Sequence, residues 1–100
     1  MEIKINECNE KALSLSIVGR LDSITSPLFL PKVEESYNSG DIIIDCNELE
    51  YVSSAGLRSL MTLYKKAQSN NGTLRMRGVN VAVNDVLRMT NLDSVFVIEK

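Results

Sequence analysis

Two adjacent hydroxyls, Ser53 and Ser54, sit in the stretch Tyr51-Val52-Ser53-Ser54-Ala55-Gly56-Leu57-Arg58, directly after the acidic turn Asp45-Cys46-Asn47-Glu48-Leu49-Glu50. The stretch starts where an apolar strand pattern ends and an amphipathic helical pattern begins. It therefore places both serines at a helix N-terminus, where backbone N–H groups are unpaired and negative charge is welcome. Such a position suits a phosphate that is added, removed or sensed. The simplest use of a serine there is capping, in which its oxygen accepts a first-turn N–H for about 1 kcal/mol. Two neighbours point further. Gly56 in the first turn costs up to about 1 kcal/mol relative to alanine, and it bares the backbone to close approach by another chain. Arg58 puts a cation where the helix dipole disfavours it, which fits an anion or acidic partner nearby.

Other chemistries find no support. Histidine is absent, which removes the commonest general base and metal ligand. Neither GxGxxG nor GxxxxGK[ST] occurs, and no GxSxG elbow surrounds either serine. A Ser–Lys pair is the one nucleophile arrangement left open, with Lys65 and Lys66 three turns down the helix from Ser54. Asp22, Asp45, Glu48 and Glu50 can gather near strand ends, where clustered carboxylates read as a solvated rim. Cys8 and Cys46 form no CxxC unit, so they are expected as reduced thiols of a cytoplasmic protein. No catalytic residue, metal or cofactor is expected.

Composition agrees with a binding module. One hundred residues, 44% of them hydrophobic and 24% charged, make one globular domain spanning 1–100. A net charge of −2 argues against a nucleic-acid partner. No apolar run reaches the roughly 20 residues of a membrane span. Met1-Glu2-Ile3-Lys4 lacks the charged and apolar regions of a signal peptide.

The elements that must position the serines follow from periodicity. Ile3 and Ile5, then Leu13, Leu15 and Ile17, alternate with polar residues and predict two strands joined through Glu7–Lys11. Gly19-Arg20-Leu21-Asp22-Ser23 breaks the pattern. Ser26-Pro27 predicts a helix start with serine as cap and proline in the first position. Phe29, Val33 and Tyr37 mark its inner face, and Pro31 predicts a late start or a bend. Ile42-Ile43-Ile44 predicts a central strand covered on both faces. After the serines, Leu57, Leu60, Met61, Tyr64 and Ala67 face inward, while Arg58, Ser59, Thr62, Lys65, Lys66 and Ser69 face water. Leu74 and Met76 predict a strand. Val83, Val86, Leu87 and Thr90 predict a short helix capped by Asn80, and Val95–Ile98 a last strand. The order ββαβαβαβ implies an α/β domain with a mixed, mainly parallel sheet and helices packed on it.

Val52-Ser53-Ser54-Ala55-Gly56-Leu57-Arg58 resembles the signature of STAS domains, the family of bacterial anti-sigma factor antagonists. The family pattern is acid or serine, phosphorylatable serine or threonine, small residue, Gly, Leu. Gly19-Arg20-Leu21-Asp22 resembles its glycine-x-leucine-aspartate turn, and Ser26-Pro27 its helix start. Val86 to Phe96 resembles its closing helix and strand. The resemblance implies a phosphoacceptor at Ser54, with Ser53 as second choice because it stands where many members carry aspartate. It also implies that Asp22 lies near the acceptor, and that Asp22, Ser23, Ser53, Ser54, Ala55, Gly56, Leu57 and Arg58 meet a partner. The implied partners are an anti-sigma factor with serine kinase activity, which uses the ATP, and a phosphatase that restores the serine. A monomer or weak dimer is expected. Two further roles are compatible with such a domain. One is an unphosphorylated adaptor subunit in lipid or anion transport, though completeness at 100 residues speaks against a transporter tail. The other is a small-molecule sensor.

Overall fold

Strict alternation along Leu13, Leu15 and Ile17 builds the longest strand, and Ile42 and Ile44, then Leu74 and Met76, repeat it in register. The computed structural model describes residues 1–99. Strands β1 (Glu2–Cys8), β2 (Ala12–Leu21), β3 (Asp41–Asp45), β4 (Leu49–Val52), β5 (Leu74–Arg77) and β6 (Val97–Glu99) form one six-stranded sheet. Its order is β1-β2-β3-β5-β6, with β4 pairing the far end of β2. Only β1–β2 is antiparallel, and the other pairings are parallel. Helices α1 (Ser26–Ser36), α2 (Ser54–Ser69) and α3 (Val81–Met89) supply the connections, and a 3-10 turn (Leu92–Ser94) precedes β6.

Register explains the core. Leu13 faces Ile42 and Leu15 faces Ile44, while Leu74 and Met76 pair the same two isoleucines from the other side. These side chains are all but fully buried beneath Phe29 and Val33 of α1 and Leu57, Leu60, Leu63 and Ala67 of α2. Burying each such side chain contributes about 1.5–3 kcal/mol, so the covered face holds the sheet and helices together. The opposite face is polar. There Arg75 bridges Asp41 (Nε–Oδ2, 3.3 Å) and Glu99 (Nη1–Oε1, 2.9 Å), and Arg77 joins Glu99 (Nε–Oε2, 2.6 Å).

Several sequence expectations give way at this level. Ile43 is only half-buried on the polar face, so β3 is covered on one side and not on both. The order is ββαββαβαβ: β4 escaped because its two inward residues, Leu49 and Val52, flank the exposed pair Glu50-Tyr51 and leave no alternation. Gly19 does not end β2. At φ +101 it lets the strand shift register and leave β3 for β4. The cap of α1 is Thr25, one residue before Ser26, and the helix runs from Ser26 straight through Pro31. Val95 and Phe96 donate their amides to the Leu92 carbonyl, so the last strand starts later than periodicity suggests. Leu63 belongs to the core, and Ser59, expected in water, is 7% exposed.

Candidate functional site

The β2 and β4 strand ends bring the turn after Leu21 and the start of α2 together. Leu21 pairs with Val52 in the ladder, and the Ser53 amide donates to the Leu21 carbonyl at 2.9 Å. Ser53 has extended backbone (φ −89, ψ 177) and caps α2, its Oγ accepting the Gly56 amide at 3.3 Å. Ser54 is the first helical residue and is exposed, whereas Ser53 is half-buried. Their chemistry thus divides: one oxygen serves the helix and the other faces solvent above the positive end of the dipole.

Gly56 is buried, and the chain that approaches it is its own. A β-carbon there would lie 2.6 Å from the Leu21 carbonyl oxygen and 2.9 Å from Val52 Cγ1. Glycine is what lets α2 start hard against β2. Leu57 is also buried, at 7% exposure. The exposed part of the motif is therefore Ser54 and Arg58, with Ala55 half-buried between them.

Asp22 turns its carboxylate into its own loop. Oδ1 accepts the amides of Ile24 (3.0 Å) and Thr25 (3.1 Å) and the Thr25 hydroxyl (3.2 Å). These bonds, the Thr25 amide foremost, hold the carboxyl below its ordinary value, with Arg20 adding a smaller pull. Asp22 thereby shapes the turn that leads into α1, and Ser23 is exposed in the same turn. Arg20 lies 3.8 Å from Asp22 Oδ2 and stacks 4.8 Å above the Tyr51 ring, flanking the helix start from the β4 side.

On the other side runs an open cleft of about 320 Å³ between α1 and α2, lined by Ser26, Pro27, Leu30, Ala55, Arg58 and Thr62 among others. Ser26 Oγ is buried in its wall without a hydrogen-bond partner. Two aliphatics are exposed, Ile24 in the Asp22 turn at 79% and Leu28 in the first turn of α1 at 68%. Sequence reasoning passed over both, although they fall outside the Phe29–Val33 stripe and had no core role to explain them.

The acids do not assemble a site. Among the described residues no three His, Cys, Asp or Glu side chains converge on a common point. Asp45 is occupied by the amide and side chain of Asn47. Cys8 and Cys46 are both free, and burial, helped by nearby Asp45, pushes the Cys46 thiol up to about 12. Among the described residues no helix is long and apolar enough to cross a membrane.

This sheet order, with Ser53 capping the second helix, points to one fold family. The chain belongs to the STAS domain family, whose model matches residues 4–100. Solved structures agree. The anti-sigma factor antagonist SpoIIAA in its unphosphorylated form matches at TM-score 0.82 and 12% identity, over 99% of this chain and 89% of that one. The phosphorylated form of SpoIIAA, a Bacillus cell-fate determinant, matches at TM-score 0.71. An anti-sigma factor antagonist from Mycobacterium paratuberculosis matches at 0.77 and 23% identity, covering 98% of this chain and 86% of that one. A sulfate transporter family protein from Wolinella succinogenes matches at 0.76 and 11% identity, over 94% and 80% of the two chains. At such identities the likeness is one of fold.

Proposed function

We propose that this protein is an anti-sigma factor antagonist controlled by phosphorylation of Ser54. Unphosphorylated, it binds an anti-sigma factor that is also a serine kinase and so frees a sigma factor. The kinase then transfers phosphate from its own ATP to Ser54, and a separate phosphatase removes it. The chain itself performs no catalysis. The observation that carries this reading is the division of labour within the serine pair: Ser53 Oγ is engaged as the cap, and Ser54 stands exposed at the first helical position. Ser53 as acceptor would have to give up its cap.

Phosphate adds about −1.5 to −2 charges and three acceptor oxygens. At the start of α2 the dipole and free amides tolerate it, so the fold survives and the binding surface changes. In this reading the partner meets Ser54, Arg58 and the edge of Ala55, with Ser53 and the Asp22–Ser23 turn beside them. Gly56 and Leu57 support that surface from below. Ile24 and Leu28 extend it with apolar area of the kind interfaces use. A buried phosphate without a partner costs several kcal/mol, enough to lower affinity on the order of 100-fold or more.

Titration of the cognate anti-sigma factor against native protein, Ser54→Ala and Ser54→Asp tests this. Ser54→Ala should bind like the native protein and Ser54→Asp far more weakly; equal affinity for all three would overturn the switch. The likeness to a sulfate transporter family protein favours one other reading, an adaptor domain without phosphorylation. That reading requires Ser54 to stay unmodified when kinase and ATP are supplied.

A further inference from the structure

Arginines in this protein have partners, with one exception. Arg20 lies by Asp22, Arg75 and Arg77 share Glu99, and Arg88 lies by Asp85. Among the described residues Arg58 alone of the arginines has no ion pair. It is exposed and stands in the second turn from the positive end of α2, where the dipole works against it. It also borders the cleft in which Ser26 Oγ is buried and unpartnered. A cation and a hydroxyl thus wait beside the helix start for a group rich in acceptor oxygens.

Helical geometry says where the nearest such group would be. Residues four apart share a face, with Cβ atoms about 5–6 Å from each other. Helical side chains also lean toward the N-terminus, so Arg58 leans over the turn that carries Ser54. Negative N-terminal to positive at this spacing is the favourable orientation. A phosphate is better matched to arginine than a carboxylate, because the guanidinium fork bonds two of its oxygens at once.

We propose that phosphate on Ser54 is captured within the chain by Arg58. The unmodified protein presents Arg58 free at the cleft, and the phosphoprotein withdraws it. Phosphorylation then acts by removing a cation from the docking surface as well as by adding negative charge. This rests on Ser54 as the modified residue and adds how the modification is read.

The test is a phosphorus-31 NMR pH titration of protein carrying phosphoserine installed at position 54 during synthesis. Arg58 should lower the second phosphate pKa, so the native-sequence phosphoprotein should titrate about 0.15–0.4 unit below Arg58→Gln. Arg58→Lys, a point charge without the fork, should recover part of that difference. Arg88→Gln, on a different helix, should titrate with the native sequence. Coincident titrations of native and Arg58→Gln protein would overturn the capture, as would an equal shift in Arg88→Gln. Because the phosphate is built in, the result does not depend on any kinase. A kinase that ignores Ser54 would defeat the proposed switch and leave this measurement standing.

Discussion

Gly56 rests against the carbonyl of Leu21 so closely that a β-carbon would come within 2.6 Å of that oxygen. The contact locks the first turn of α2 to the end of β2, and it sets the height at which Ser54 projects. A helical glycine usually marks a weak point, since alanine stabilises helix interiors by about 1 kcal/mol. Here the sign reverses. The nearest obstacle is backbone and cannot rotate away, and overpacking of this kind costs about 1–3 kcal/mol. Gly56→Ala should lower the melting temperature by roughly 5–10 °C in a domain of this size. A melting temperature equal to or above that of the native protein would contradict the packing described.

The two serines should separate cleanly in stability. Ser53→Ala removes the oxygen that accepts the Gly56 amide and should cost about 1 kcal/mol. Ser54→Ala alters an exposed side chain and should stay within about 0.5 kcal/mol of native. Chemical denaturation of both variants measures this, and a larger loss for Ser54→Ala would reverse their assigned roles.

Asp22 makes the start of α1 sensitive to acid. Its carboxyl is held below the ordinary value of 3.8 by the amides of Thr25 and then Ile24. A depressed folded-state pKa contributes stability that is present above the unfolded value and is lost as pH falls through the folded one. Carbon-13 NMR of the Asp22 carboxyl should therefore show a midpoint below 3.8. Asp22→Asn, which keeps an acceptor oxygen but no charge, should lose stability less steeply in acid than the native protein. A midpoint at or above the ordinary value would remove Asp22 from its place as organiser of this turn.

The parts of the fold written in regular periods were legible from residues alone. Leu13-Leu15-Ile17, Leu74-Met76 and the Asn80 cap, whose Oδ1 accepts the Val83 amide at 2.8 Å, stand where local pattern puts them. What escaped depends on distant contacts. Strand β4 exists because Gly19 turns β2 toward it, and nothing in Leu49-Glu50-Tyr51-Val52 announces a strand. Pro31 removes a donor from α1, yet Phe29 and Val33 bury themselves on both sides of it and hold the helix through. At the site, the serine pair and its helix-start position were visible in the spacing. The reason for Gly56 was not, because the chain that needs its bareness is Leu21, thirty-five positions earlier in a different element. Asp22 was legible as part of the break after β2, but its bonds to Ile24 and Thr25 emerge only in three dimensions.

The central claim is that Ser54 receives the phosphate, and intact-mass spectrometry after incubation with the cognate kinase-type anti-sigma factor and ATP tests it most directly. Native protein and Ser53→Ala should each gain the mass of one phosphoryl group, and Ser54→Ala should gain none. Unmodified native protein, or Ser54→Ala modified as completely as native, would contradict it.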